Sequence, residues 1–219
     1  MPNICDTQIV IYSQNKSVIH RFHAKIKSFM TTPACKGLSD NTRWLGNILC
    51  HAGYDYDDVC NGKYGYTRAW IEQVDDVEDN IETGYSSFFL DQNDAWSPVI
   101  EPWRHIITKL YPYHDIKISW IAEEPGCDVY QKYDPDGLFF GDCEYCVDCY
   151  VDSSEAWKEY PELMDEHRGF SLTELKTIFK LDTIEAITAR AEEIEEEMQE
   201  KYGEGFYHIN KYEEMDSEF

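Results

Sequence analysis

The opening thirty residues change period once, from two to about four. Residues 4–12, ICDTQIVIY, put Ile9 and Ile11 on one side and Val10 and Tyr12 on the other. That predicts a strand with both faces covered. From Lys16 to Met30 the apolar positions Val18, Ile19, Phe22, Ile26 and Phe29 follow helical spacing. Pro33 and Gly37 then break the chain. Ser39-Asp40 predicts the start of a second helix, with Trp44, Leu45, Ile48 and Leu49 on one side and Gly53 just past its end. After a turn-rich stretch, residues 65–74 and 84–91 predict two strands joined by the acidic run 75–80. Pro102 is expected to open the next helix, where Trp103, Ile106, Ile107 and Leu110 keep the i, i+3, i+4, i+7 spacing and Pro112 ends it. Residues 116–124, IKISWIAEE, alternate again.

Beyond Pro125-Gly126, residues 127–133 and 138–150 flank Asp134-Pro135-Asp136-Gly137, a turn signal that predicts a β-hairpin between them. The last third reads as helical. Ser171 and Glu174 have capping-box spacing, Asp182 and Glu185 repeat it, and the following helix runs to Tyr202 with Ile184, Ile187, Ala191, Ile194 and Met198 as its stripe. Residues 205–212 suggest a short final strand. The order β-α-(α)-β-β-α-β predicts an α+β fold: a ferredoxin-like split βαβ antiparallel sheet with an extra β-hairpin and C-terminal helices. The expected division is residues 1–152 for the ferredoxin-like domain and 153–219 for an acidic helical extension packing on it.

Composition narrows the function classes. The chain has 219 residues, 42% of them hydrophobic and 15% aromatic, which suits a folded core rather than disorder. No run approaches a membrane span, and the amino terminus lacks a basic start followed by an apolar stretch, so a cytoplasmic protein is expected. There eight cysteines should be mostly thiols. The net charge is −24, from 43 acids against 19 Lys and Arg. Direct binding to nucleic acid or to anionic membranes is therefore disfavoured, while a basic protein suits as a partner. Solubility is the simpler use of the same charge.

Charge concentrates towards the end, where residues 182–219 hold 13 acids and 3 Lys and Arg. Glu192, Glu196 and Glu200 fall at i, i+4, i+8, and Glu193 and Glu197 form a second row. Like-charge rows cost helix stability, which the apolar stripe offsets. The two uses of such a helix are a solvated face and a phosphate-like surface that competes with nucleic acid for a basic protein.

Cys143, Cys146 and Cys149 stand in a C-x2-C-x2-C run. Zinc needs ligands that converge. On a strand Cys143 and Cys149 would share a face roughly 20 Å apart, at about 3.3 Å per residue, with Cys146 opposite. The alternation from Phe139 to Cys149 favours that strand, so structural thiols are expected and no cofactor is assigned. A metal or redox site on these three cysteines is the alternative. The bacterial iron–sulfur spacing would need a fourth cysteine followed by proline, where Ser153 and Ser154 stand. Elsewhere, His20 and His23 share a helix face without a partner motif, Glu123 and Glu124 point opposite ways on a strand, and Asp55, Asp57 and Asp58 lack the rest of a calcium loop. No nucleophile elbow, phosphate loop or dinucleotide fingerprint is present, so no catalytic residue is assigned.

Several short motifs in order resemble the YubB-type ferredoxin-like domain family of plasmid, phage and mobile-element proteins. They are Met1-Pro2-Asn3 with Cys5, Ala95-Trp96-Ser97-Pro98, Glu124-Pro125-Gly126, and Phe139-Phe140 before Gly141. The likeness covers about residues 1–150, with an insertion around 35–65. Val99 stands where that family has a second proline, and Ile4 where it has tryptophan. The resemblance implies the fold, no iron–sulfur cluster and no transferable catalytic residue. The function expected is a non-enzymatic accessory or protein-interaction protein of a mobile element. Its alternatives are an acidic nucleic-acid mimic that inhibits a DNA- or RNA-binding protein, and a cysteine-based metal or redox protein.

Overall fold

A computed structural model describes residues 3–35, 41–162, 169–203 and 205–216. The expected helix start at Ser39-Asp40 and the break at Gly37 lie outside them, as do Met1 and Pro2. The chain divides into unit 1, Met1–Pro135 with Met215–Phe219, and unit 2, Asp136–Glu214.

Unit 1 contains β1 (Ile4–Ser13), α1 (Lys16–Phe29), α2 (Leu45–His51), α3 (Tyr56–Cys60), β2 (Ala69–Val74), β3 (Glu78–Asp79), β4 (Ser86–Ala95), α4 (Glu101–Leu110), β5 (Lys117–Glu124) and β6 (Val129–Tyr133). Neighbouring strands run β6-β5-β1-β4-β2, with β3 beside β4, and these pairings are antiparallel. The inner four, β5-β1-β4-β2, are the ferredoxin-like arrangement, produced by two crossovers that each skip one strand. Strand alternation selects the face that meets the helices. Ile9, Ile11, Phe88, Leu90, Ile71, Ile118 and Trp120 lie in one core with Val18, Phe22 and Ile26 of α1 and Trp103 and Ile106 of α4. Phe22 is fully buried and meets Phe88 and Tyr111 at 6.2 and 5.6 Å. Burying a side chain of that size contributes roughly 1.5–3 kcal/mol. Pro102 occupies the second helical position of α4 rather than the first, because Glu101 already has helical geometry.

Unit 2 contains β7 (Tyr145–Tyr150), α5 (Ala156–Glu159), β8 (Gly169–Phe170), α6 (Leu172–Phe179), α7 (Ile184–Tyr202) and β9 (Phe206–Lys211). Its sheet is β8-β7-β9, antiparallel. Val147, Tyr207, Leu175, Phe179, Ile187, Ile194 and Met198 form its core. The capping box at Ser171 and Glu174 is present, and Gly203 closes α7 in the left-handed region at φ 77°. The cap of α7 is Thr183, one residue after the expected Asp182, because the Thr183 hydroxyl accepts the Ala186 N–H.

Two expectations change. The stretches at 127–133 and 138–150 do not pair with each other. β6 folds back on β5 through the tight turn Pro125–Cys127, so the extra hairpin is β5–β6. β7 pairs with β8 and β9 instead. The second difference is the division, which falls after Pro135 rather than after residue 152. It does so because β7 pairs along its whole length with β9 and so belongs with the C-terminal helices. The apolar stripe of α7 is covered by that sheet, within its own unit.

Candidate interaction surface

The helix α7 turns one stripe inwards, and its acids are distributed around the remaining circumference at 100° per residue. Three of them are held. Arg190 Nη1 donates to Glu193 Oε2 and Glu197 Oε1, each at 3.3 Å, and its Nε lies 3.8 Å from Glu162 Oε1. Burial, and then the hydrogen bond with Glu197, push the Tyr160 hydroxyl up to about 12. On the other flank Glu195 Oε2 accepts the Tyr207 N–H at 3.0 Å and lies 3.1 Å from His208 Nε2. Gln199 Nε2 donates to Glu195 Oε1 and to the Gly205 carbonyl. That ties the end of α7 to the start of β9. Further along, Lys201 and the Tyr202 hydroxyl both bind the Glu159 carboxylate.

The five acids marked in the sequence therefore divide. Glu193 and Glu197 form the row gathered by Arg190. Glu192, Glu196 and Glu200 are exposed and have no ion pair among the described residues. Glu192 lies one turn before Glu195, and so on the flank that looks towards residues 205–208.

Two aromatic rings that no sequence pattern singles out stand on the face of the β8-β7-β9 sheet opposite the core residues Val147 and Tyr207. Tyr150 and Phe206 are cross-strand partners of β7 and β9. Their rings stack at 5.9 Å with 23° between planes, yet they remain 50% and 41% exposed. His208 follows on the same face of β9, its ring 6.0 Å from Phe206. The missing signal was register: which residue faces Tyr150 depends on the partner of β7, and that partner is about sixty residues away.

The cysteine run is only partly a strand. Cys146 and Cys149 lie on β7, three residues apart and so on opposite faces. Cys143 precedes the strand in a turn where its N–H donates to the Phe140 carbonyl, and its side chain packs against Gly169. The expected strand over 139–144 is absent because Gly141 and Asp142 turn the chain there. The three sulfurs are not gathered within 4.8 Å of one another. No disulfide joins any of the eight cysteines.

The other candidates take structural places. His20 Nε2 lies 3.3 Å from Asp79 Oδ1, and His23 Nε2 lies 2.8 Å from the Asp75 carbonyl, so the two rings serve different contacts. Asp55 caps α3, accepting the N–H groups of Asp57 and Asp58, which accounts for the aspartate cluster. The Ala95–Pro98 motif is explained by Asp94. This residue is 2% exposed. It accepts from the Thr7 hydroxyl at 2.7 Å, from Gln92 Nε2 at 2.8 Å and from the Val99 N–H at 2.8 Å. Gln92 in turn accepts from Trp103 Nε1 at 2.8 Å. Burial outweighs the three donors and pushes the Asp94 carboxyl up to about 7. Beside this loop a cleft of about 440 Å³ opens between Tyr66, Pro98, Ile100, Glu101 and Trp120.

No family model, no curated protein and no solved structure matches this chain. Among the described residues no helix is long and apolar enough to cross a membrane.

Proposed function

We propose that this chain is a non-enzymatic protein-interaction protein that grips a basic partner through Tyr150, Phe206 and the acidic flank of α7. The observation that carries the reading is the stacked aromatic pair, left half-exposed, with the neighbouring His208 ring held by Glu195 of α7. Aromatic side chains anchor interfaces because they bury large area at little entropic cost. Their faces also attract Lys and Arg. The acids of α7, on a chain of net charge −24, steer a cationic partner towards this unit. Glu195 is already committed to holding β9, so Glu192 and Glu196 supply the free negative charge. The resemblance to YubB-type domains supports an accessory role on a mobile element.

A second reading is a nucleic-acid mimic. The row Glu192, Glu196, Glu200 favours it, since four residues of helix advance about 6 Å and repeat the charge on one line. Capture from a cell lysate on the immobilised full chain separates the two. The expected result is a basic protein that is released as salt rises and is lost with the double variant Tyr150→Ser, Phe206→Ser. Loss with Glu192→Gln, Glu196→Gln, Glu200→Gln alone, together with displacement by duplex DNA, turns the assignment to mimicry. Equal capture by every variant, or none by the wild type, refutes both.

A further inference from the structure

The cleft beside the Asp94 loop is held open by the interior of unit 1. One wall is the stretch Ser97–Ile100, between β4 and α4. Both polar backbone atoms of Val99 are bound from behind. Its N–H donates to Asp94 Oδ2 at 2.8 Å, and its carbonyl accepts Gln92 Nε2 at 3.0 Å. Asp94 and Gln92 are themselves buried and bonded to each other. Trp96, just before the stretch, stands at φ 79° in the left-handed region, with its N–H donating to the Asn3 carbonyl at 3.2 Å. A residue with a side chain keeps that conformation only where its surroundings enforce it. A buried acid and a strained backbone thus fix this wall. On its outer side lies a cavity of about 440 Å³, within the range of roughly 300–1,000 Å³ that small-molecule pockets occupy.

The lining sets the chemistry of an occupant. Tyr66, Pro98, Ile100, Trp120 and Met215 give it flat and apolar walls. Two lining residues are charged, Glu101 and Arg104, so the cleft is balanced in charge on a chain of net −24. Glu101 is set against the side: Oε1 lies 3.7 Å from His105 Nε2, and Oε2 covers Gly65, where an added Cβ would meet it at 2.7 Å. Arg104 follows Glu101 by three residues on α4 and brings the positive charge. We propose that this cleft binds a small aromatic carboxylate, its ring against Tyr66, Pro98 and Ile100 and its carboxylate on the Arg104 guanidinium. A guanidinium offers paired donors that match a carboxylate. A flat ring loses little freedom on entering a wall that is already fixed. The acids elsewhere on the chain are screened beyond about 8 Å at physiological salt.

The test is an amide chemical-shift titration of the full chain at physiological salt with 2-naphthoate, and in parallel with 2-naphthamide, the same ring without the charge. The expected result is saturable shifts at Tyr66, Val99, Ile100 and Gln131, with a Kd of about 1 mM or tighter for the acid. The amide should bind at least about tenfold more weakly, the lower end for a hydrogen bond to a charged group. Arg104→Met should erase that preference, and Tyr66→Ala should weaken both probes. Should Arg104→Met fail to fold, the acid-against-amide comparison in the wild type decides alone. The variant Tyr150→Ser, Phe206→Ser should bind 2-naphthoate as the wild type does, which keeps this result separate from the interaction surface of unit 2. Absence of saturable shifts at these four residues overturns the assignment. So does equal binding of acid and amide, a preference that survives Arg104→Met, or loss of binding in the Tyr150, Phe206 variant.

Discussion

Replacing Asp94 with Asn should flatten the stability of this protein between about pH 4 and pH 7. In the folded chain the Asp94 carboxyl is pushed up to about 7, from an ordinary value of 3.8, chiefly by burial. The folded state then binds a proton more tightly than the unfolded state does. The contribution is fully present below pH 4 and is lost as pH rises through 7. Three units correspond to about 4 kcal/mol at 1.36 kcal/mol per unit, with the opposing effect of the donors from Thr7, Gln92 and Val99 already included. Asp79 works the opposite way. The hydrogen bond from Lys16, then that from Ser86, holds its carboxyl down to about 2, so its contribution is lost only as pH falls below about 4. The windows do not overlap. Urea unfolding at half-unit pH steps, in salt high enough to screen the overall negative charge, should show wild-type stability falling by up to about 4 kcal/mol from pH 4 to 8. Asp94→Asn should lose most of that slope. It should also be less stable at pH 4 by about 1–3 kcal/mol, because its amide nitrogen faces a donor. Parallel pH profiles for the two proteins would refute the linkage.

Other substitutions test individual supports. Asn47→Ala removes the buried side chain that binds Ala34, Phe29, Thr32 and Thr42, and should cost about 2–4 kcal/mol in chemical unfolding. Ser171→Ala breaks the capping box of α6 and should lower stability by about 1 kcal/mol, with hydrogen exchange accelerated at the first turn. Arg190→Met leaves Glu162, Glu193 and Glu197 without their shared cation. The melting temperature should then fall at neutral pH and recover as the carboxylates protonate.

The sheet order was readable because each strand of unit 1 carries its own alternation and each helix its own stripe. Once Ile9 and Ile11, Phe22 and Ile26, and Trp103 and Ile106 are assigned inwards, few topologies bury them all. Asp134-Pro135-Asp136-Gly137 misled for a definable reason. A turn motif says that the chain changes direction, and nothing about which strand waits on the other side. β6 had already been captured by β5 across Pro125-Gly126, and β7 found β9. The same long-range pairing hid Tyr150 and Phe206, whose stacking exists only in that register. In the cysteine run, alternation continues on paper through Gly141 and Asp142, but two residues with strong turn preferences end it before Cys143. Asn47, an unremarkable residue in the sequence, clamps the loop between α1 and α2 by binding Ala34, Phe29, Thr32 and Thr42. The acids of α7 were visible at once; their division into a held row and an open row depended on where Arg190 points.

The most direct measurement of the interaction surface is an amide chemical-shift map of the full chain titrated with a short Arg- and Lys-rich peptide at moderate salt. Acidic surface is spread over the whole sequence, so unspecific attraction would move resonances in both units alike. The account predicts that the largest shifts gather at Tyr150, Phe206, Glu192 and Glu196, and that they disappear when Tyr150 and Phe206 become Ser. Shifts scattered evenly over unit 1 and unit 2, or a map unchanged by the aromatic substitutions, would contradict it.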